Sequence, residues 1–146
     1  MISQILIPVD GSQHSKKALH LGCDLASKYG AAVHLIHITQ SPIREHTMAL
    51  GGSAITLRTS PDELKQAGSR ELEFAREYAT NCGISEITTE VEEGSPAHRI
   101  VESAKETHAD MIVMGSRGLS DLAGLLVGSV SHKVTNMAPC TCITVR

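Results

Sequence analysis

Short apolar runs and longer amphipathic stretches alternate along the chain. The runs at positions 5–9, 31–38, 111–114 and 142–145 have the length and composition of buried β-strands. A fifth run at 87–91 alternates apolar residues with Thr and Glu, which indicates a strand that is less buried. We therefore predict five strands.

Four helices are predicted between these strands, because apolar residues recur there every three or four positions and so share one helix face. The stretch after Ser60 begins with Pro61 and has Glu63 in place for a capping box, while Gly30 and Pro139 stand where two helices end. The apolar faces consist of Ala18, Leu21, Gly22, Leu25, Ala26 and Tyr29; of Leu64, Ala67, Leu72, Ala75, Tyr78 and Ala79; of Ala97, Ile100, Val101 and Ala104; and of Val130, Val134, Met137 and Ala138.

The resulting order, βαβαβαβαβ, is typical of a mostly parallel sheet with helices on both faces. A chain of 146 residues suits one such domain and buries roughly two-thirds of its unfolded surface. We predict an α/β fold, a three-layer α/β/α sandwich around a five-stranded, Rossmann-like sheet, in a single domain of residues 1–146.

The segment from Thr39 to Thr59 fits no period. It contains Pro42, Gly51 and Gly52, and we predict a loop of about twenty residues, which in a compact domain is usually functional or mobile. Whether this loop is a lid over a site or a surface insertion stays open at this point.

Charge and aromatic content exclude some partners. The formal net charge is −3, and the 13 Lys and Arg residues are scattered, with no run longer than Lys16–Lys17. Rings that stack single-stranded bases are nearly absent, since only Tyr29, Phe74 and Tyr78 occur and all three fall on predicted helices. We therefore expect no nucleic-acid partner, and a flat ligand would have to be held without a cage of rings.

The first residues and the cysteines of the sequence indicate the cellular compartment. No apolar stretch approaches the roughly 18 residues of a membrane helix, and no basic region precedes the first strand, so we expect a soluble, cytoplasmic protein without a membrane span. Cys23, Cys82, Cys140 and Cys142 have the spacing of neither a zinc ribbon nor a secreted disulfide scaffold. We expect ordinary buried or half-buried thiols.

Candidate chemistry lies at the carboxyl ends of the strands, where open parallel sheets bind ligands. Asp10 follows the first strand, Ile38 ends the second, and four of the 12 glycines fall between positions 115 and 128, after the fourth. Glycine clusters of this kind mark backbone that turns sharply or closely approaches a ligand.

An anion is the ligand that these glycines favour. Gly115 and Gly118 would free the backbone to curl into a nest of N–H groups, and Gly128 opens the last helix, whose unpaired N–H groups attract negative charge. Two hydroxyl donors, from Ser129 and Ser131, and the cation of Arg117 would complete a site for a polyphosphate. The competing explanation is that the glycines serve helix ends and tight packing.

Three familiar signatures are absent from the sequence. It has no Gly-Lys pair for a P-loop, no G-x-G-x-x-G dinucleotide fingerprint and no G-x-S-x-G nucleophile elbow. A standard NTPase, a dinucleotide-dependent dehydrogenase and a serine hydrolase are therefore disfavoured.

The spacing Gly115-x2-Gly118-x9-Gly128-Ser129 resembles the nucleotide motif G-2x-G-9x-G-[ST] of the universal stress protein family, in its ATP-binding branch. The resemblance extends over essentially the whole chain, since stretches 5–12, 93–97 and 110–118 are similar to the family's opening strand, third-strand exit and fourth strand with its loop. The last strand departs from the family pattern, because Cys140-Thr141-Cys142-Ile143 stands where Cys-Pro-Val-Leu is usual.

The resemblance implies an adenine nucleotide site and the adenine nucleotide alpha hydrolase-like variant of the fold. Asp10, with Pro8 and Val9, would contact the adenosine. Ile38 would offer backbone groups to the adenine edge, and the base would lie between the aliphatic side chains of Val9 and Ile38. The ribose and the phosphates would lie along Met114, Gly115, Arg117, Gly118, Gly128, Ser129, Val130 and Ser131.

The same resemblance implies a cofactor and partners. ATP would be the nucleotide, and Mg or Mn, if bound, would be held through the phosphates, because the chain shows no carboxylate cluster beyond Asp10. The family commonly forms a homodimer through the last strand, here residues 141–146. Dimer against tetramer stays open, and so does the protein partner.

The leading functional hypothesis is a nucleotide-dependent regulatory protein of the stress response that acts by binding a partner. No positioned general base is evident beside the predicted phosphate site, because His98 and His132 are interpreted as solvated or capping residues. We expect at most slow ATP hydrolysis. The alternative is an enzyme on the same scaffold, a slow ATPase or phosphotransferase, and a third hypothesis is an interaction module with a vestigial site.

Overall fold

A computed structural model of the protein describes residues 1–40, 46–50, 53–57, 60–119 and 128–146. Within these residues, no helix is long and apolar enough to cross a membrane. The helices are α1 (Gln13–Tyr29), α2 (Pro61–Asn81), α3 (Pro96–Glu106) and α4 (Ser129–Met137). The strands are β1 (Gln4–Pro8), β2 (Ala32–Thr39), β3 (His46–Leu50), β4 (Ser53–Leu57), β5 (Ile87–Glu93), β6 (Met111–Gly115) and β7 (Thr141–Val145).

Five of the strands form one sheet in which all neighbours are parallel. The strand order is β5-β2-β1-β6-β7. The chain runs outward from β1 through β2 and β5 on one side and then through β6 and β7 on the other, so the order reverses at β1. The predicted α/β/α architecture with a five-stranded, Rossmann-like sheet is confirmed.

Apolar side chains of the sheet alternate between its two faces. Ile5 and Ile7 are fully buried in a core that also contains the apolar residues of α1 and α2. Leu6 and Ile112 are fully buried in a second core, on the other face, with the apolar residues of α3 and α4. Each such side chain contributes about 1.5–3 kcal/mol through its burial, which explains why the central strands are almost wholly apolar.

The predicted helix ends are largely confirmed. Ser60 Oγ accepts from Glu63 N at 3.2 Å, and Ser60 N donates to Glu63 Oε2 at 2.9 Å, so the capping box is complete. Gly30 ends α1 with φ of 66°, a left-handed conformation that glycine adopts without strain. Ser95 precedes α3, but its side chain makes no capping hydrogen bond.

A carboxylate binds the start of β1 at the amino edge of the sheet, where the parallel strands begin. Asp110 Oδ2 accepts hydrogen bonds from Ser3 N at 2.7 Å, Ser3 Oγ at 2.8 Å and Gln4 N at 3.1 Å. These bonds favour the ionised form, so the backbone N–H and the hydroxyl of Ser3 lower the pKa of the Asp110 carboxyl below its ordinary value. The starts of β1 and β6 are therefore joined at the edge opposite the predicted site.

The four cysteines are free thiols. Cys23 is buried and Cys82, Cys140 and Cys142 are half-buried, as expected. Burial raises the pKa of Cys23 to about 12 and that of Cys142 to about 11, because the thiolate loses its hydration. Both thiols are therefore protonated at neutral pH.

The prediction of a loop of about twenty residues from Thr39 to Thr59 was wrong. β3 and β4 pair antiparallel within it, with His46 opposite Leu57 and Leu50 opposite Ser53. A Gly-Gly pair between two short runs is a sequence signal for a β-hairpin, and the chain has such a pair at positions 51–52. Residues 41–45, 51–52 and 58–59 lie outside the described part, so the choice between a lid and an insertion stays open.

The capping box gives a prediction for stability. Replacing Ser60 with Ala (S60A) is expected to lower the free energy of unfolding by about 1 kcal/mol, because the Glu63 N–H loses its partner. Ser69→Ala, at an exposed position of the same helix, is the matched control and should stay within about 0.5 kcal/mol. Equilibrium urea unfolding measures both, and equal effects of the two substitutions would contradict the role of the cap.

Candidate functional site

A cavity of about 490 Å³ lies at the carboxyl edge of the sheet, beside the end of β1 where the strand order reverses. Small-molecule sites are typically about 300–1,000 Å³, so the volume suits a ligand of nucleotide size. Eleven of the twelve residues predicted from the sequence line this cavity: Pro8, Val9, Asp10, Ile38, Met114, Gly115, Arg117, Gly118, Ser129, Val130 and Ser131. Gly128, the twelfth, directly precedes α4 and is not part of the lining.

One wall of the cavity was not predicted. Leu64, Ala67 and Glu71 of α2 face it, together with His37 on β2 and Ile100 on α3. The apolar stripe of α2 was recognised in the sequence, but only the sheet order shows that its first two turns reach the site. Within the sequence, the only indication of this wall is that Leu64 and Ala67 belong to the apolar stripe and come before its core residues, which begin at Leu72.

The lining beside β1 and β2 is mostly aliphatic. Val9 and Ile38 both contribute, as predicted, and Met114 and Ile100 add apolar surface. Among the described residues, no Tyr or Phe side chain lines the cavity, and the three aromatic residues lie on helices as expected. A flat apolar ring would therefore be held by aliphatic contacts.

Asp10 is oriented by the start of α1. Its Oδ1 accepts from Ser12 N at 2.9 Å, and its own N–H donates to Ser15 Oγ at 3.1 Å. Ser12 in turn caps α1, because its Oγ accepts from Ser15 N at 3.1 Å. The other oxygen, Oδ2, points towards Gly118, where an added Cβ would lie 2.9 Å away from it. A carboxylate oxygen is thus directed into the space between the ends of β1 and β6.

Gly115, the last residue of β6, is required for space, whereas Gly118, three residues further on, is not. Neither Gly115 nor Gly118 has φ in the left-handed region. A Cβ on Gly115 would lie 2.8 Å from the backbone of His14 and Ser15, so a side chain there would collide with α1. Gly115 therefore fits the competing explanation, tight packing, whereas a Cβ on Gly118 would meet, among the described residues, only the Asp10 side chain.

Ser116 joins four elements at this edge. It is 1% exposed; its N–H donates to Val145 O at 2.7 Å, and its Oγ lies 2.9 Å from His14 Nδ1. Its carbonyl oxygen accepts from Gly128 N at 2.6 Å and from Ser131 Oγ at 2.8 Å. The end of β6 is thereby connected to α1, to β7 and to the start of α4.

These bonds involve two residues of the predicted phosphate site. The N–H of Gly128 and the hydroxyl hydrogen of Ser131, which also lies 3.0 Å from Gly128 O, are committed to carbonyl groups of the protein. The hydroxyl of Ser131 has one hydrogen and here directs it to a carbonyl, so its role as a phosphate donor stays a prediction. Both bonds orient the start of α4.

Positive charge and free donors meet at the β6 side of the cavity. Ser129 and Val130, the first residues of α4, line it, and Gly128 before them provides no side-chain cap. The orphan N–H groups and positive dipole end of a helix attract anions. Arg117 Nε is buried and, among the described residues, has no hydrogen-bond partner. An anion at this position would accept hydrogen bonds from both the N–H groups at the start of α4 and Arg117 Nε.

Negative charge lies on the other side of β1. Glu71 of α2 places its carboxyl against Gly11, where an added Cβ would lie 3.0 Å from Cδ, and Asp10 is the next residue along the chain. Within the described part, no group of three or more His, Cys, Asp or Glu side chains is arranged to hold a metal ion. The cavity therefore combines an apolar slot, two carboxylates and a cationic end.

Comparison with known proteins gives matches over the whole chain. The sequence matches the universal stress protein family over residues 1–146. Universal stress protein YxiE of Bacillus subtilis is 35% identical over 150 aligned positions, which cover 100% of both chains. Universal stress protein MJ0531 of Methanocaldococcus jannaschii is 32% identical over 146 positions, 100% of this chain and 83% of that protein.

Solved structures share the fold. The protein MJ0577 superposes with a TM-score of 0.81 at 21% identity, covering 99% of this chain and 96% of that one. A universal stress protein in complex with cAMP superposes with a TM-score of 0.73 at 23% identity, covering 99% of this chain and 97% of that one. The universal stress protein from Archaeoglobus fulgidus in complex with dAMP superposes with a TM-score of 0.70 at 21% identity, covering 100% of this chain and 98% of that one.

The different constraints on the two glycines can be tested by substitution with alanine. Gly115→Ala is expected to lower the free energy of unfolding by about 1–3 kcal/mol, because backbone atoms of α1 must move. Gly118→Ala should stay within about 0.5 kcal/mol, because the half-exposed Asp10 side chain can turn away. Urea unfolding of both variants checks this, and a larger loss at Gly118 than at Gly115 would show that the packing explanation is wrong.

Proposed function

This chain belongs to the universal stress protein family, and we propose that it binds an adenine nucleotide in the cavity at the carboxyl edge of its sheet. The observation that carries the proposal is that Ile38, Asp10 and Arg117 line one cavity. They can offer backbone groups to a base, a carboxylate to a ribose and a cation to a phosphate. Proteins of the same fold that hold cAMP and dAMP support it.

The proposed base site follows from the register of β2. Its even-numbered residues bond towards β1, as Ala32 N does with Ser3 O and Ile36 O with Val9 N. Since β1 ends at Pro8, the N–H and C=O of Ile38 face the space beyond that strand. One donor and one acceptor on the same residue complement the N1 acceptor and the amino group of adenine.

The proposed phosphate site is the start of α4 with Arg117. The helix N-terminus and the guanidinium supply charge-assisted hydrogen bonds, which are about twice as strong as neutral ones. We propose ATP as the nucleotide. Mg²⁺ or Mn²⁺ would be held mainly by phosphate oxygens and water, because only two carboxylates, Asp10 and Glu71, are found in the described lining.

The proposed mode of action is nucleotide-dependent binding of a protein partner in a stress response, with at most slow hydrolysis. We further propose a homodimer through β7, which is an edge strand of the described sheet and whose outer backbone groups need a partner. The cytoplasmic location stays a prediction from the sequence.

The placement of the ribose can be tested at Asp10. Replacement by Asn (D10N) keeps an acceptor for Ser12 N and removes the charge of Oδ2, so the affinity for AMP should fall about tenfold, equivalent to about 1.4 kcal/mol. Asp24→Asn, at an exposed residue paired with Lys28 on α1, is the matched control and should bind as the unaltered protein does. Titration calorimetry measures both, and an unchanged affinity of the Asp10 variant would place the ribose elsewhere.

The phosphate end can be tested at Arg117. Arg117→Gln removes the cation, so AMP and ATP should bind at least about tenfold more weakly while adenosine stays within about twofold. Arg99→Gln, at an exposed position where Arg99 pairs with Glu102, is the control. Equal losses for adenosine and AMP, measured by calorimetry, would contradict a phosphate at Arg117.

A further inference from the structure

The β1–β2 hydrogen-bond ladder stops at the cavity. Val9 N donates to Ile36 O at 2.9 Å, and in a regular parallel ladder the next bond would run from Ile38 N to Val9 O. That bond is absent among the described residues, where the pairing ends with Pro8 opposite Ile36. Val9 O instead accepts from the ring of His37, whose Nδ1 lies 2.8 Å away.

We propose that His37 is a positioning residue for base recognition, and this inference rests on the proposed adenine nucleotide site. Its Nδ1–H occupies the carbonyl that would otherwise bind the Ile38 N–H. The Ile38 donor is thereby kept available for the base, while the last residues of β1 remain attached to β2. The ligand selected in this way is a 6-aminopurine nucleotide.

The bond to Val9 assigns the protonation of the ring. A carbonyl oxygen can only accept, so Nδ1 carries the hydrogen and, in the neutral ring, Nε2 is an acceptor. The imidazole is therefore held as a donor towards β1. An amide placed at the same distance from the backbone can supply the same donor, whereas a hydrocarbon cannot.

Gly68 of α2 holds the ring from the other side. A Cβ on this buried glycine would lie 2.9 Å from His37 Nε2, and closer still to the neighbouring ring carbon. The helix therefore packs a bare Cα against the imidazole, which is enclosed between Gly68 and Val9 O. Any side chain at Gly68 would push the ring away from that carbonyl.

The consequence is selectivity between purines. The Ile38 N–H complements the N1 acceptor of adenine, and the Ile38 carbonyl complements its amino group. Hypoxanthine carries N1–H and an O6 acceptor. The Ile38 N–H would then face another donor, and the Ile38 carbonyl would face another acceptor. A site built to hydrogen-bond one pattern rejects the reversed one strongly, because its own groups are left unpaired.

The test compares AMP with IMP on two variants of similar side-chain size. We expect the unaltered full-length protein and His37→Asn to bind AMP at least about tenfold more tightly than IMP. His37→Leu, which lacks the donor, should bind the two nucleotides within about threefold of each other, because Ile38 N is drawn to Val9 O. Titration calorimetry gives the six affinities.

A second pair of variants keeps the test decisive if His37→Leu does not fold. Gly68→Ala should reduce the preference for AMP, because it displaces the ring. The double variant Gly68→Ala, His37→Asn should regain that preference, since Asn lacks the ring atoms that meet the new Cβ. Rescue by a second substitution is not expected from a merely structural role of His37.

The outcomes separate this inference from the proposed function. If the unaltered protein binds no AMP at millimolar concentration, the nucleotide site and the role of His37 are both wrong. If it prefers AMP, and His37→Leu or Gly68→Ala keeps that preference, the site stands and the inference about His37 is overturned. Failure of His37→Asn to preserve the preference would likewise overturn the donor role.

Discussion

The hydrogen bonds of Ser116 determine the geometry on which the rest of the site depends. This buried residue uses its N–H, its carbonyl and its hydroxyl to contact β7, the start of α4 and α1. A buried polar group left without its partner costs about 1–3 kcal/mol, so these contacts restrict one another strongly. They position the first turn of α4 beside Arg117 at the end of β6. The cationic end of the cavity is thus a product of buried hydrogen bonding around one serine.

The two edges of the sheet differ in a way that bears on function. At the amino edge, Asp110 accepts from the N–H groups of Ser3, just before β1, and of Gln4, its first residue, and so joins that strand to β6. At the carboxyl edge, β1 ends at Pro8 while β2 continues to Thr39, so backbone groups of β2 extend past their neighbour. Open backbone groups beside apolar side chains are what a purine base requires. The proposed specificity therefore depends on strand length as much as on any side chain.

Local patterns in the sequence predicted most of the fold. The five strands of the sheet, the capping box at Ser60 and the end of α1 at Gly30 depend on residues within a few positions of each other. The resemblance to the family located eleven lining residues, but it did not reveal their individual roles. The hydroxyl of Ser131 binds a carbonyl fifteen positions away, and Gly115 is needed because α1 passes it. Such roles, like the α2 wall and the bond from His37 to Val9, arise from contacts between distant segments.

Titration of ¹⁵N-labelled protein with AMP, followed by amide NMR, tests the nucleotide site most directly. We expect saturable shifts of the Ile38, Gly118 and Ser129 amides, since these residues line the cavity at the positions proposed for the base, the ribose and the phosphate. The amides of Ser3 and Gln4, which bond Asp110 at the opposite edge, should stay unchanged. Shifts centred on that amino edge, or none up to millimolar AMP, would contradict an adenine nucleotide site at the carboxyl ends of the strands.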